Sequence, residues 1–164
     1  MKQKFFLSLL AIVFTILSAS AENPVKLILK VGNVEHLNIQ DGIDIVLLQG
    51  ASEDNSIILD QYASDKLNLK LSDKTLVIGA QNNLSKKQKF TVYVYVNKLK
   101  TITVEGTSHV KTIGALDTRK LDVFVGGDSH VHFKTKGIIK AHALNDSEID
   151  VRYLSGNPLE KLGF

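Results

Sequence analysis

The chain has 164 residues, 44% of them hydrophobic and 23% charged, which is ordinary usage for one globular domain. It has no cysteine, and this excludes disulfides, thiolate metal ligands, a cysteine nucleophile and a lipidated cysteine anchor. The formal charge of +3 includes Lys2 and Lys4, so the chain beyond residue 21 is close to neutral, which argues against nucleic acid or an anionic membrane as partner.

Residues 1–21 have the three parts of a signal peptide. Lys2 and Lys4 give a positive start, and Phe5 to Leu17 is an apolar run broken only by Ser8 and Thr15. Ala19-Ser20-Ala21 then supplies small residues at a cleavage site before Glu22. The run is shorter than the ~20 residues a bilayer span needs, so a cleaved leader helix is expected rather than an anchor. No other stretch approaches that length. Residues 22–164 are expected to form a single exported domain.

Beyond residue 24 the apolar residues recur with period two. Leu37-Asn38-Ile39 begins the pattern, and Ile43-Asp44-Ile45 continues it after Asp41-Gly42. Leu67-Asn68-Leu69-Lys70-Leu71 alternates, as do Val92 to Val96, with Tyr93 and Tyr95 opposite the valines. Leu121 to Val125 alternates with Phe124 on the outer face, and so does Ile149 to Tyr153. Alternation buries one residue set and leaves the other toward solvent, as strands do. No helix is expected in this part of the chain. Lys86, Lys87 and Lys89 form a short basic cluster in a polar loop.

The breaks between runs carry turn residues: Asp41-Gly42, Ser72-Asp73, Gly106-Thr107, Gly126-Gly127-Asp128 and Asn145-Asp146. These turns allow hairpins or the corners of a stacked repeat. Internal similarity favours the repeat. Thr103 to Val110 (TVEGTSHV) resembles Phe124 to Val131 (FVGGDSHV), and both resemble Ala143 to Ile149 (ALNDSEI). The segments Leu37–Ile45 and Leu67–Ile78 share the outline less clearly. A recurrence of about 20 residues marks a solenoid of stacked strand–turn–strand units, each needing neighbours to bury its apolar face. Val104, Val125 and Ala143 are expected to line up inside, as are Val110, Val131 and Ile149. A β-sandwich or an antiparallel meander is the alternative.

The run from Leu99 to Gly106 (LKTITVEG), followed by the Gly-Thr-Ser-His-Val, Gly-Asp-Ser-His-Val and Asn-Asp-Ser-Glu-Ile corners, resembles the head GIN domain family of auto-transporter adhesins from Bacteroidetes-type bacteria. The resemblance covers about residues 33–155. It implies a right-handed β-helix-like fold and an exported, cell-envelope location. It supplies no catalytic residues and no cofactor.

Asp128-Ser129-His130 has the residue types of a hydrolase triad. Consecutive residues entering a strand point to opposite faces, however, so the set is expected to be a polar corner. If the units stack, His109 and His130 lie one above the other with Glu148 on the next rung. Strands about 4.8 Å apart could then bring two imidazoles and a carboxylate to one metal, although a plain exposed ladder is the simpler expectation. His132 is expected beside Lys111 and Asp150 on the same face. Tyr93, Tyr95 and His132 are the candidate binding surface. The acidic corners Asp41, Asp73, Asp128 and Asp146 lack the dense glycine pattern of calcium-binding solenoids. Phosphate loops and dinucleotide fingerprints are missing.

The sequence therefore predicts an exported, non-enzymatic envelope or surface protein, an interaction module for a protein or glycan at the cell surface. Open strand edges at the solenoid ends invite self-association, with residues 154–164 as a candidate cover. The alternative is a periplasmic β-helix enzyme acting on polysaccharide. It would need two carboxylates on one concave face, and Asp122 and Asp150 are the candidates.

Overall fold

The computed structural model describes residues 26–40, 42–50, 55–81 and 90–154. The expected signal peptide, Asp41, the Lys86–Lys89 cluster and all of the candidate end cover except Leu154 lie outside the described residues. Alternating segments become strands throughout. In chain order they are β1 (Lys26–Gly32), β2 (His36–Ile39), β3 (Ile43–Gln49), β4 (Asn55–Asp60), β5 (Leu67–Ser72), β6 (Thr75–Ala80), β7 (Phe90–Val96), β8 (Thr101–Val104), β9 (His109–Ile113), β10 (Lys120–Val125), β11 (His130–Thr135), β12 (Ile138–Ala143) and β13 (Glu148–Tyr153). A single helical turn, α1 (Gln61–Ser64), follows β4.

The strands make two sheets over one core. One sheet runs β12-β10-β8-β2-β6-β5 and the other β1-β4-β7-β3-β9-β11-β13. Five pairs of consecutive strands share a pattern. β2/β3, β6/β7, β8/β9, β10/β11 and β12/β13 each place their first strand in the six-stranded sheet and their second in the seven-stranded one. Equivalent strands pair in parallel, so Val104, Val125 and Ala143 align, as do Val110, Val131 and Ile149. Leu37, Ile78, Ile102, Val123, Ile45, Val94 and Phe133 are buried between the sheets. Each such side chain contributes about 1.5–3 kcal/mol when fully buried.

Four features depart from the sequence-based expectation. Leu67–Ile78 is no corner unit, because β5 and β6 form an antiparallel hairpin. Asp73 and Lys74 both have positive φ, +47° and +64°, and such a two-residue turn reverses the chain on itself. β4 also pairs antiparallel with both of its neighbours, β1 and β7. Ala143 is exposed and Ile149 only half-buried, because among the described residues no further unit lies beneath the last one. Chain order also differs from stacking order. β2/β3 lies between β6/β7 and β8/β9, so the chain passes over an earlier unit to begin β8.

Glu35 pins that crossing. Its carbonyl accepts the Lys100 and Thr101 N–H groups, and its own N–H donates to the Lys74 carbonyl. Its carboxylate lies 2.8 Å from Lys74 Nζ and also binds Lys100 Nζ. Those two charge-assisted bonds, Lys100 first, hold the Glu35 carboxyl down to about 2 from an ordinary 4.5.

The corners are built from serine and glycine. Ser129 is fully buried. Its hydroxyl donates to the Gly106 carbonyl at 3.1 Å and accepts the Ser108 N–H at 3.3 Å. The buried Ser108 hydroxyl sits equivalently one unit up, donating to the Glu105 carbonyl and accepting the Ile43 N–H. Ser147 repeats the position below, 3.0 Å from the Val125 carbonyl. Gly106 and Gly127 stack with φ of +82° and +71°. A Cβ on Gly127 would stand 2.4 Å from the Gly106 carbonyl oxygen, whereas one on Gly126 meets nothing within 4 Å.

Three outcomes are expected. Gly127→Ala should lower the denaturation midpoint well beyond Gly126→Ala, since only the former drives an atom into a neighbouring backbone. Ser129→Ala should cost about 1–3 kcal/mol in chemical denaturation, because it strands the buried Ser108 N–H. Glu35 is charged more easily in the folded than in the unfolded chain, so its contribution is present above its unfolded value and lost as pH falls toward about 2. Denaturation curves from neutral to acid pH should therefore show a flatter profile for Glu35→Gln below about pH 5.

Candidate functional site

Parallel register turns the period-two pattern into rows across the outer face of the seven-stranded sheet. One row reads Thr91, Asp44, His109, His130 and Glu148, contributed by β7, β3, β9, β11 and β13. The next reads Ile28, Ile58, Tyr93, Val46, Lys111, His132 and Asp150. Neighbours in a row are about 4.8 Å apart at the backbone. The β3, β9, β11 and β13 ends of the two rows line a shallow trough of about 540 Å³.

The trough is polar and largely self-paired. His109 and His130 stack with ring centroids 5.1 Å apart and planes 12° from parallel. His130 Nδ1 lies 3.3 Å from Glu148 Oε2, and His132 Nδ1 lies 2.6 Å from Asp150 Oδ2. Asp44 Oδ1 is buried without a hydrogen-bond partner among the described residues. Val46 forms an apolar spot on the floor, 2% exposed. The second row then turns apolar through Tyr93 and Ile58 to Ile28, which is 63% exposed. One face thus offers hydrogen-bonding groups at one end and an apolar and aromatic strip at the other.

The expected cross-strand contacts are present. His109, His130 and Glu148 form successive rungs, and His132 neighbours Lys111 and Asp150. As a metal site the ladder is poorly disposed. Stacked rings aim their nitrogens side by side, and Glu148 already engages His130 Nδ1. Among the described residues no group of three His, Asp or Glu is placed to hold a metal. Tyr93 and His132 share one row three strands apart, about 14 Å. Tyr95 lies one row further on, beside Leu48 and Ser56.

The Asp128-Ser129-His130 set separates as expected of a corner. The Ser129 hydroxyl points into the buried corner, while His130 projects outward to Glu148. Asp122 and Asp150 do not share a face. Asp122 belongs to the six-stranded sheet beside Lys120, and Asp150 belongs to the other sheet beside His132. Asp73 occupies the β5–β6 hairpin turn, and the Asp128 N–H donates to Gly106. Asp44, Thr91, Ile28 and Ile58 were not singled out from the sequence. Asp44 and Thr91 belong to the face because β7 and β9 flank β3, and Ile28 and Ile58 because β4 pairs with β1 and β7; no local motif encodes these pairings.

Two sheets of stacked strand–corner–strand units, with a regular side-chain lattice on an outer face, define a β-structured domain of the kind that presents surfaces. The chain belongs to the family described as "Putative auto-transporter adhesin, head GIN domain", whose model matches residues 33–160. The resemblance carried by Leu99–Gly106 and the serine corners is thereby borne out. In fold the chain is similar to a putative adhesin from Parabacteroides distasonis, with 16% identity and a TM-score of 0.52. That similarity covers 79% of this chain and 65% of the other, so the chain spans less than two thirds of that structure. A putative adhesin from Parabacteroides merdae is 9% identical with a TM-score of 0.42, over 80% of this chain and 97% of that one. A putative lipid binding protein from Parabacteroides distasonis is 10% identical with a TM-score of 0.41, over 80% and 98%. No curated protein sequence matches this chain. No helix among the described residues is long and apolar enough to cross a membrane.

Proposed function

We propose that this chain is an exported, non-enzymatic interaction module of the cell envelope, and that the outer face of its seven-stranded sheet is the contact surface for a protein or glycan. The carrying observation is the face itself: side chains from successive strands, set in register, join the trough to an apolar strip holding Tyr93. The family match and the signal-peptide pattern of residues 1–21 support export to the periplasm or outer surface. The parallel-stacked corner units support the β-helix-like winding that the sequence suggests.

The chemistry suits recognition of hydroxyl-rich or mixed polar surfaces. Asp44 adds a half-buried carboxylate to the polar row. Thr91, Lys111 and the imidazoles add donors, and Tyr93 offers a flat apolar ring. The polysaccharide-cleaving alternative gains nothing here, since its two carboxylates lie on different sheets.

The exported protein, fluorescently labelled, can be applied to bacterial cells, matrix proteins and a glycan array. Binding to at least one is expected. The combined Tyr93→Ala, Lys111→Ala and His132→Ala variant should keep its circular dichroism and lose about tenfold or more in affinity, as removal of a central contact does. Unchanged binding by that variant, together with loss in a Phe124→Ala, His142→Ala variant of the opposite sheet, would move the surface elsewhere.

A further inference from the structure

The stack ends differently on its two sides, and the difference carries an inference about self-assembly that stands apart from the trough. At one end β1 pairs antiparallel with a bulge between Lys30 and Gly32, and α1 packs across β4 and β1. At the other end, among the described residues, the two sheets end at β12 and β13. The Glu148 and Leu154 N–H groups donate to β11, so the backbone groups of Ile149, Val151 and Tyr153 point to the free edge of β13. The same parity on β12, set by the Ile138 and Leu144 N–H groups donating to the β10 side, frees Ile139, Ala141 and Ala143. Neither strand has a proline or an inward-pointing charge, the usual devices that blunt an edge.

The inner side chains at this end are apolar and short of cover. Ala141 and Ala143 are exposed, Ile149 and Val151 are half-buried, and Leu144 and Leu154 are 69% and 53% exposed. The outward side chains of β13 read Glu148, Asp150 and Arg152. We propose that two copies of this chain join tail to tail through β13, antiparallel about a twofold axis at Val151. In that register the free Val151 groups pair with their symmetry mates, and Ile149 lies opposite Tyr153 of the second copy. Asp150 then faces Arg152 of the second copy, twice. A shift to an axis at Asp150 keeps the backbone bonds but sets Asp150 against itself, so charge selects the first register. The operation closes on itself, giving a dimer rather than a fibre. It also brings the two β12 edges together and merges the two seven-stranded sheets into one face carrying two troughs.

Sedimentation velocity of the exported protein over a wide concentration range tests this. A dimer is expected, weakened about tenfold or more by Arg152→Asp and by Asp150→Arg, and recovered in the Asp150→Arg, Arg152→Asp double variant. The solvent-exposed Arg152 side chain lies outside the trough, so Arg152→Asp should retain the binding properties of the wild type even as it dissociates. A wild-type monomer at every concentration overturns the proposal, the edge then being covered by the chain's own residues or by water. A dimer indifferent to both single reversals, or not recovered by the double one, overturns it as well.

Discussion

Everything in this fold depends on a corner tight enough for the next one to sit directly on it. Between β10 and β11 the backbone turns from one sheet to the other within Gly126–Ser129, and the Gly127 backbone rests on the Gly106 carbonyl. The seryl hydroxyls resolve what would otherwise be a penalty. Each turn buries N–H and C=O groups that strand pairing does not use, and Ser108 and Ser129 satisfy them across units. Such a bond contributes only about 0.5–1.5 kcal/mol net, less than one buried isoleucine or valine. Apolar burial therefore stabilises the stack, and the corners decide its register. A slip of one residue would turn Val110, Val131 and Phe133 outward together.

That division explains what could be read in advance. The corner chemistry is local, so TSHV, DSHV and DSEI announced themselves, and the alignment of His109 with His130 followed from serine spacing alone. The hairpin at Asp73 and Lys74 was harder, because the same residue types serve corners and reversals, and only the positive φ at both positions decides. The order of units was not legible at all. β2/β3 accepts neighbours on both sides, and its apolar pattern is equally satisfied wherever it stands in the stack. What places it between β6/β7 and β8/β9 is partly Glu35, whose two lysine partners are 39 and 65 residues away.

The same limit applied to the candidate site. His132, Lys111, Asp150 and Tyr93 were visible as outward residues of alternating strands. Asp44 and Thr91 join the row of His109, His130 and Glu148 only because β3 lies between β7 and β9. Ile28 and Ile58 enter through antiparallel pairing at the far side, where the stacked repeat gives way to a different kind of strand contact. A site of this type has no motif. Its residues are a column of a lattice, and the lattice becomes known only with the pairing order.

A lattice site also behaves differently from a cleft. Its side chains stand at the spacing of the backbone, about 4.8 Å across strands and 6.6–7 Å along them, and here they pair with their nearest neighbours. His109 and His130 stack across that spacing, and Glu148 and Asp150 each take the nearest imidazole. That geometry sets the outward side chains in regular rows. Repeated, modest contacts with an extended partner suit it, because each row presents the next contact one strand further on. The graded composition of the second row, from Ile28 through Tyr93 to Asp150, then gives the face a direction. If the face is the proposed contact surface, a partner with an apolar and a polar end is expected to lie across it in one orientation, since reversal would set its polar groups on Ile28 and Ile58.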